Sequence, residues 1–306
     1  MIFMSLFSCV STSRKQQNMS WISLELREHP LVGTWWDVEK QQQVQESDVI
    51  ERVQSSEFIL LGEKHDNPDH HKIQAQILAK IQEDNSSSIL ISFEMLHDKT
   101  VLEAANWLST ADFAKSVQWE ESGWPEFSMY EPIFSVALEY KNTIVAGSPT
   151  PKEMMSVAKG TMDSEVLETL GVLETLSVDR EQDLEQEIID SHCGYASDEM
   201  VEMMMRAQRF KDAMMAKSLR DQASDYDKKI LIAGGGHTRL DRGVAWYLDA
   251  EQKQKTISIL PVEVQDGIFD MTEYPKYADF IFFTPRVDQD DPCETYRKQL
   301  EQMKQH

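Results

Sequence analysis

The sequence predicts an α/β protein: a mainly parallel sheet flanked by helices, with an all-α subdomain inserted into it. Three observations carry this. Phe58–Leu61, Ile89–Phe93, Thr143–Ala146, Ile230–Ala233, Thr256–Val262 and Phe280–Phe283 are short apolar, β-branched runs. They are apolar almost throughout rather than alternating, the pattern of strands buried on both faces in a parallel sheet. Helical segments lie between most of them, which implies right-handed crossovers. Finally, residues 151–224 show helical patterning and no strand signal.

Taken in chain order, residues 1–10 are apolar but lack a basic n-region. They read either as a frayed leader or as the tail of a lipoprotein signal. In the second reading Leu6-Phe7-Ser8-Cys9 resembles a lipobox, although Phe7 fits it poorly. Residues 11–19 are polar, so 1–19 form a truncated signal or tether. The α/β domain is expected over 20–150 and 225–294, with the helical subdomain over 151–224. Ile73, Ile77 and Ile81 mark one helix face, with Asn67 as N-cap and Pro68 at the first helical position. Ser128-Met129-Tyr130-Glu131 reads as a capping box. Residues 161–191 hold ten acidic residues and one basic residue, Arg180. This run is read as a solvated helix face rather than a cation site. Met200, Met203, Met204, Met205, Met214 and Met215 supply either core filling or an adaptable surface for a flat apolar ligand or a partner.

Composition limits the function. Of 306 residues, 41% are hydrophobic and 9% aromatic, enough for a core and too many for wholesale disorder. A net charge of −23 repels phosphate backbones and anionic lipid, which disfavours nucleic-acid binding. No stretch reaches the roughly 18 apolar residues of a membrane-spanning helix. The three cysteines, Cys9, Cys193 and Cys293, form no CxxC motif. If Cys9 is lipidated, Cys193 and Cys293 remain as a candidate pair for an oxidising compartment.

Chemistry is expected beyond the carboxyl ends of the strands. The first run leads into Gly62-Glu63-Lys64-His65-Asp66, the second into Glu94, and the fourth into Gly234-Gly235-Gly236-His237-Thr238-Arg239. Glu63, His65, Glu94 and His237 therefore converge on one rim, where they could tune a general base or hold a metal. The glycine run permits positive φ and close backbone approach before a helix start, with Arg239 and Arg242 adding charge for an anion. It is neither GxGxxG nor a Walker A loop, so nucleotide binding is disfavoured. His70-His71-Lys72 follows as a second polar cluster.

The strings LLGEKHDNPDHHKIQ, FEM, MYEPIF, HCG, AQRFKDAMMA, AGGGHTR, FFTPR and DPC, preceded by HPLVGTWWDV, resemble the ChaN-type haem-binding lipoproteins of the haem-binding uptake, Tiki superfamily. The resemblance runs from about residue 29 to 294. It implies haem as cofactor, a haem-dependent homodimer, an outer-membrane or periplasmic location, and an uptake receptor as partner. It also implies a Tyr on each iron, with His and Lys on the propionates. Tyr195 and Tyr130 are the candidate ligands, and His192 is a candidate axial ligand or propionate partner. Lys64, His70, His71, Lys72 and Arg239 are the candidate propionate cations. Glu63, His65, Glu94 and His237 match the superfamily's polar site. Similarity to erythromycin esterases and Tiki proteases implies an alternative, a hydrolase that is metal-dependent or metal-free, although a binding protein is the preferred reading.

Overall fold

The computed structural model describes residues 20–83, 87–97, 99, 102, 107–221, 224–295 and 297–298. Residues 1–19, with the lipobox-like segment and Cys9, lie outside the described residues.

Eight strands form one sheet: β1 (Trp35–Asp37), β2 (Gln42–Val44), β3 (Phe58–Leu61), β4 (Ile89–Phe93), β5 (Thr143–Ala146), β6 (Lys228–Ile232), β7 (Thr256–Glu263) and β8 (Phe280–Thr284). Their order is β2-β1-β8-β7-β3-β6-β4-β5. From β8 to β5 every neighbouring pair is parallel. β1 is antiparallel to both β8 and β2. The six predicted strands are all present, with small shifts at their ends. β1 and β2 were not anticipated, since three residues show no period and the first reads Trp-Trp-Asp.

Helices cover the sheet: α1 (Glu46–Ser55), α2 (Pro68–Gln82), α3 (Thr110–Ser116) and α4 (Phe127–Glu139), then α5 (Pro151–Ala158), α6 (Ser164–Thr169), α7 (Val178–Ser191), α8 (Asp198–Arg220), α9 (Ala250–Gln254) and α10 (Pro292–Thr295). α2 starts as the sequence predicts. The Asn67 side chain accepts from the Asp69 and His70 amides, and Pro68 occupies the first turn. Ser128 is not a cap. α4 opens one residue earlier, at Phe127 with Glu126 as N-cap, and Glu131 instead accepts from Thr110 Oγ1 at 2.8 Å.

Two apolar cores sandwich the sheet. One face packs Ile59, Leu61, Ile91 and Phe93 against Ile73 and Ile77 of α2 and Ile133 and Phe134 of α4. The other packs Phe58, Leu60, Leu90 and Leu231 against Phe210, Ala213, Met215 and Leu219 of α8. Over 151–224 the described residues form helices joined by turns, as predicted, but α8 contributes directly to the sheet's core. A small separate cluster joins Leu176, Leu184, Ile188 and Val201. Met215 is fully buried, and Met204, Met205 and Met214 are packed against these cores. No described helix is long and apolar enough to cross a membrane. A disulfide joins Cys193, in the α7–α8 turn, to Cys293 in α10, with Cα atoms 5.7 Å apart.

Candidate functional site

β3 and β4 flank β6, so the residues after their carboxyl ends meet on one rim. The predicted quartet of Glu63, His65, Glu94 and His237 is brought together there. Each carboxylate organises its own network.

Glu63 Oε1 accepts from Tyr130 Oη at 2.7 Å and lies 2.8 Å from His65 Nδ1. Glu63 Oε2 lies 3.5 Å from His71 Nε2, an ion-pair distance without hydrogen-bond geometry. Burial pushes Glu63 up, but the His71 and His65 imidazoles reverse this and hold it far below the usual carboxylate range.

Glu94 Oε1 accepts from Lys211 Nζ at 2.6 Å and lies 3.2 Å from His237 Nε2. Its Oε2 accepts from the Gly234 amide at 2.7 Å. His237 Nδ1 lies 2.6 Å from Asp212 Oδ1. Burial alone would keep His237 neutral, but Glu94 and Asp212 overrule it and raise it to about 9. At neutral pH His237 is therefore an imidazolium held between two carboxylates.

His65 links the two networks. Its Nδ1 faces Glu63, and its Nε2 is 3.9 Å from Glu94 Oε2. Its side chain is 36% exposed while the carboxylates beside it are buried, so His65 is the member that meets solvent. Trp124 packs edge-on against its ring at 4.8 Å, and Lys211 Nζ lies 5.7 Å from the Trp124 ring centroid. Burial lowers the pKa of His65, but Glu63 and Glu94 raise it more.

Lys211, Asp212 and Trp124 are site residues that sequence reasoning missed. Lys211 and Asp212 sit within the quoted AQRFKDAMMA string, on a helix remote in sequence from the strand ends. Two adjacent charges beside the core residues Phe210 and Ala213 were the available signal. Among the described residues, no group of three or more His, Cys, Asp or Glu is arranged to hold a metal ion.

Several assignments need correction. The glycine run does not adopt positive φ, and no α-helix starts behind it. It serves close approach: a Cβ at Gly234 would lie 2.9 Å from His65 Nε2, and one at Gly235 2.8 Å from Leu260 Cδ1. Tyr130 is fully buried and gives its hydroxyl hydrogen to Glu63 Oε1 at 2.7 Å, so this structure presents it as a partner of the rim carboxylate rather than as an open ligand; burial, with Glu63 nearby, pushes its phenol above the ordinary range. His70 is buried between the Lys64 amide (2.9 Å) and Thr284 Oγ1 (2.9 Å). Burial, with His71 nearby, lowers it to about 3, so it is neutral and cannot pair with a propionate as a cation. His71 is equally buried, stacked on Tyr130 at 4.0 Å. Arg239 is spent on Asp183 (2.6 Å), Asp241 (2.6 Å) and Glu187 (3.1 Å). Arg242 pairs with Asp183 and Glu187 as well. Lys72 donates to the Ser20 carbonyl at 2.9 Å.

Lys64 lies beside this rim on a cleft of about 710 Å³ that extends past the end of β7. Leu260, Val262, Pro275 and Tyr277 line it, together with Glu187 and Arg286. Lys64 is half-exposed and shared between Asp66 (3.2 Å) and Glu263 (3.3 Å). His192 and Tyr195 lie in the α7–α8 turn. His192 follows the cleft residue Glu187 by five positions, roughly 7.5 Å along the helix axis. Its Nδ1 is 2.8 Å from the Ile188 carbonyl. A carbonyl only accepts, so Nδ1 is the donor in this contact and the ring is oriented by it.

A mainly parallel sheet with carboxylates and imidazoles gathered beyond its strand ends defines the class, an α/β protein with a polar rim site. The chain belongs to the family described as haem-binding uptake, Tiki superfamily, ChaN, which it matches over residues 49–248. Among solved structures it is similar to ChaN of Campylobacter jejuni, described with cofacial haem binding. The TM-score is 0.64 and the identity 21%, covering 81% of this chain and 95% of that one. It also matches the type III effector HopBA1, with TM-score 0.45 and 10% identity, covering 78% of this chain and 91% of that one. No curated protein matches the chain.

Proposed function

We propose that this protein binds haem and serves haem or iron uptake. Membership of the haem-binding uptake family is the observation that carries the reading. The chain's own residues fit the group in three respects. The cleft has the size of small-molecule sites and apolar walls. Lys64 and Arg286 are cations on it that could take propionates. His192 and Tyr195 offer an imidazole and a phenol in the turn that ends the helix carrying the cleft residue Glu187. A phenolate oxygen suits ferric haem because an anionic ligand favours the oxidised iron. Haem, when bound, would supply an iron that takes a protein ligand; Lys64 and Arg286 would hold its propionates, and the 192–195 turn would supply the ligand.

The finer reading follows the ChaN family: a haem-dependent homodimer on an outer-membrane or periplasm-facing lipoprotein tethered at Cys9, delivering to an uptake receptor. The Cys193–Cys293 disulfide supports an oxidising compartment. Hemin titration of residues 20–306, read by absorbance and sedimentation velocity, tests the binding reading. A saturable Soret band with a monomer-to-dimer shift is the expected result, and no band at micromolar hemin overturns it.

A second reading, a hydrolase of the erythromycin esterase or Tiki type, is favoured by one observation. His65 is exposed, and Glu63 holds its Nδ1–H, so its neutral form presents Nε2 as a base for water. Lys211 and His237 beside Glu94 would offset negative charge developing on a substrate oxygen. Ester and peptide turnover that survives both Glu63→Gln and His237→Ala overturns this reading.

A further inference from the structure

Two cysteines of the HCG and DPC motifs have no part in the rim, yet their bond ends at the turn that carries His192 and Tyr195. We propose that the Cys193–Cys293 disulfide positions this turn, and that haem binding there depends on the redox state of the pair. The proposal rests on the haem reading above.

The turn has an unusual backbone. Cys193 (φ +54°) and Gly194 (φ +69°) are consecutive left-handed residues. Glycine accepts this freely, whereas a residue with a side chain holds it only when its surroundings impose it. The Cys193 amide reaches the Asp190 carbonyl at 2.9 Å, the Gly194 amide reaches Ile189 at 2.9 Å, and the Tyr195 amide reaches His192 at 2.9 Å. These bonds end α7 and set the separation of His192 and Tyr195. They do not tie the turn to the rest of the molecule.

α7 itself is lightly anchored. Leu184 and Ile188 are its buried residues, and its charged anchors, Asp183 and Glu187, are half-exposed on Arg239 and Arg242. From its far side the turn is held by the segment that follows β8. There Arg286 pairs backbone to backbone with Glu25, and the Val287 amide donates to Glu263 Oε1 at 3.1 Å. Glu263 is the carboxylate that also holds Lys64. The strap therefore leaves the cleft rim at Arg286 and Glu263 and ends on the turn at Cys293. The Asp291 side chain fixes the Cys293 amide at 2.8 Å. With the disulfide intact, the cleft cations and the candidate iron ligands belong to one framework. With it open, the turn keeps its connections to α7 and α8 and loses the one that runs through the strap to the cleft rim.

The chemical step is thiol–disulfide exchange with a dithiol reductant. One donor thiolate attacks a sulfur of the pair, forming a mixed disulfide and releasing the other cysteine as a thiolate. The donor's second thiol then displaces the remaining cysteine. The donor leaves as its own disulfide, and two electrons and two protons have reached Cys193 and Cys293.

The test compares three forms of the chain: oxidised, reduced with the reductant removed anaerobically, and the Cys193→Ser/Cys293→Ser double variant. The double variant separates loss of the bond from haem ligation by a freed thiol. Hydrogen exchange over residues 188–196, measured without haem, reports the turn directly. The expected result is faster exchange there, with unchanged exchange in β3 and β6, and hemin affinity at least tenfold weaker in both opened forms. If the double variant does not fold, the reduced native chain supplies the same comparison. Unchanged exchange, or equal hemin affinity in oxidised and opened forms, overturns the proposal and leaves the haem reading standing. Absence of a saturable Soret band in every form overturns the haem reading and the proposal with it.

Discussion

Tyr130 and Tyr195 carry the same phenol, but Tyr130 is fully buried at the rim whereas Tyr195 is half-buried in the α7–α8 turn. Tyr130 gives its hydroxyl hydrogen to buried Glu63. Tyr130→Phe leaves that oxygen with His65 alone, so it should cost about 1–3 kcal/mol in denaturant unfolding and leave the hemin spectrum unchanged. On the proposed haem reading, Tyr195→Phe should shift the Soret band or weaken hemin binding. The reverse pattern would return the ligand role to Tyr130. Two histidines set opposite pH limits. His237 is raised from 6.5 to about 9, so its contribution to stability is complete below about 6.5 and is lost as pH climbs through 9. His70 is lowered to about 3, so between 6.5 and 3 the unfolded chain takes up a proton that the folded chain refuses. Stability should fall over that range as pH drops. Unfolding midpoints from pH 4 to 10 check both limbs: His237→Gln should flatten the alkaline one and His70→Gln the acid one. The rim quartet was legible because strand ends are recognisable and the fold gathers them. The partners of Arg239 and His70 were not, because a charge in a sequence does not announce which carboxylate or carbonyl will claim it.

At the scale of elements, α2 shows how a short motif becomes site geometry. Asn67 caps the helix and also donates to Glu263 Oε1 at 2.9 Å and the Pro285 carbonyl at 3.3 Å. One side chain thus fixes the helix that carries His70 and His71 against the far edge of the cleft. Asn67→Ala should destabilise by about 1–2 kcal/mol, and thermal unfolding measures it. The cap was readable because its signal is local. β1 and β2 were not, because strands of three residues owe their conformation to pairing, β1 with β8 and β2 with β1, rather than to their own pattern. The capping box misplaced at Ser128 has a related cause. Phe127 is packed against the core cluster, and that packing sets the start of α4 one residue before the serine. Helical character over 151–224 was legible from pattern. That α8 lies on the sheet could not be read from pattern, since burial of Phe210, Ala213 and Leu219 against Phe58 and Leu231 is a long-range matter.

For the whole molecule, charge decides how two copies can meet. Each carries a net charge of −23, and like charges repel over about 10 Å at 0.1 M ionic strength but about 30 Å at 0.01 M. The proposed dimer around haem would bring two such fields together, with haem propionates adding to them. Its local cations are few: Arg239 and Arg242 are already neutralised by Asp183 and Glu187, and Lys64 is shared between two carboxylates. Repulsion between copies should therefore dominate the salt dependence. Haem-linked dimerisation should strengthen as salt rises from 10 to 150 mM, a range chosen from those screening lengths. Sedimentation velocity with hemin held at a fixed ratio measures it. Dimerisation that weakens over the same range would mean that cross-subunit ion pairs outweigh the net field, and Lys64 and Arg286 would be the first residues to substitute.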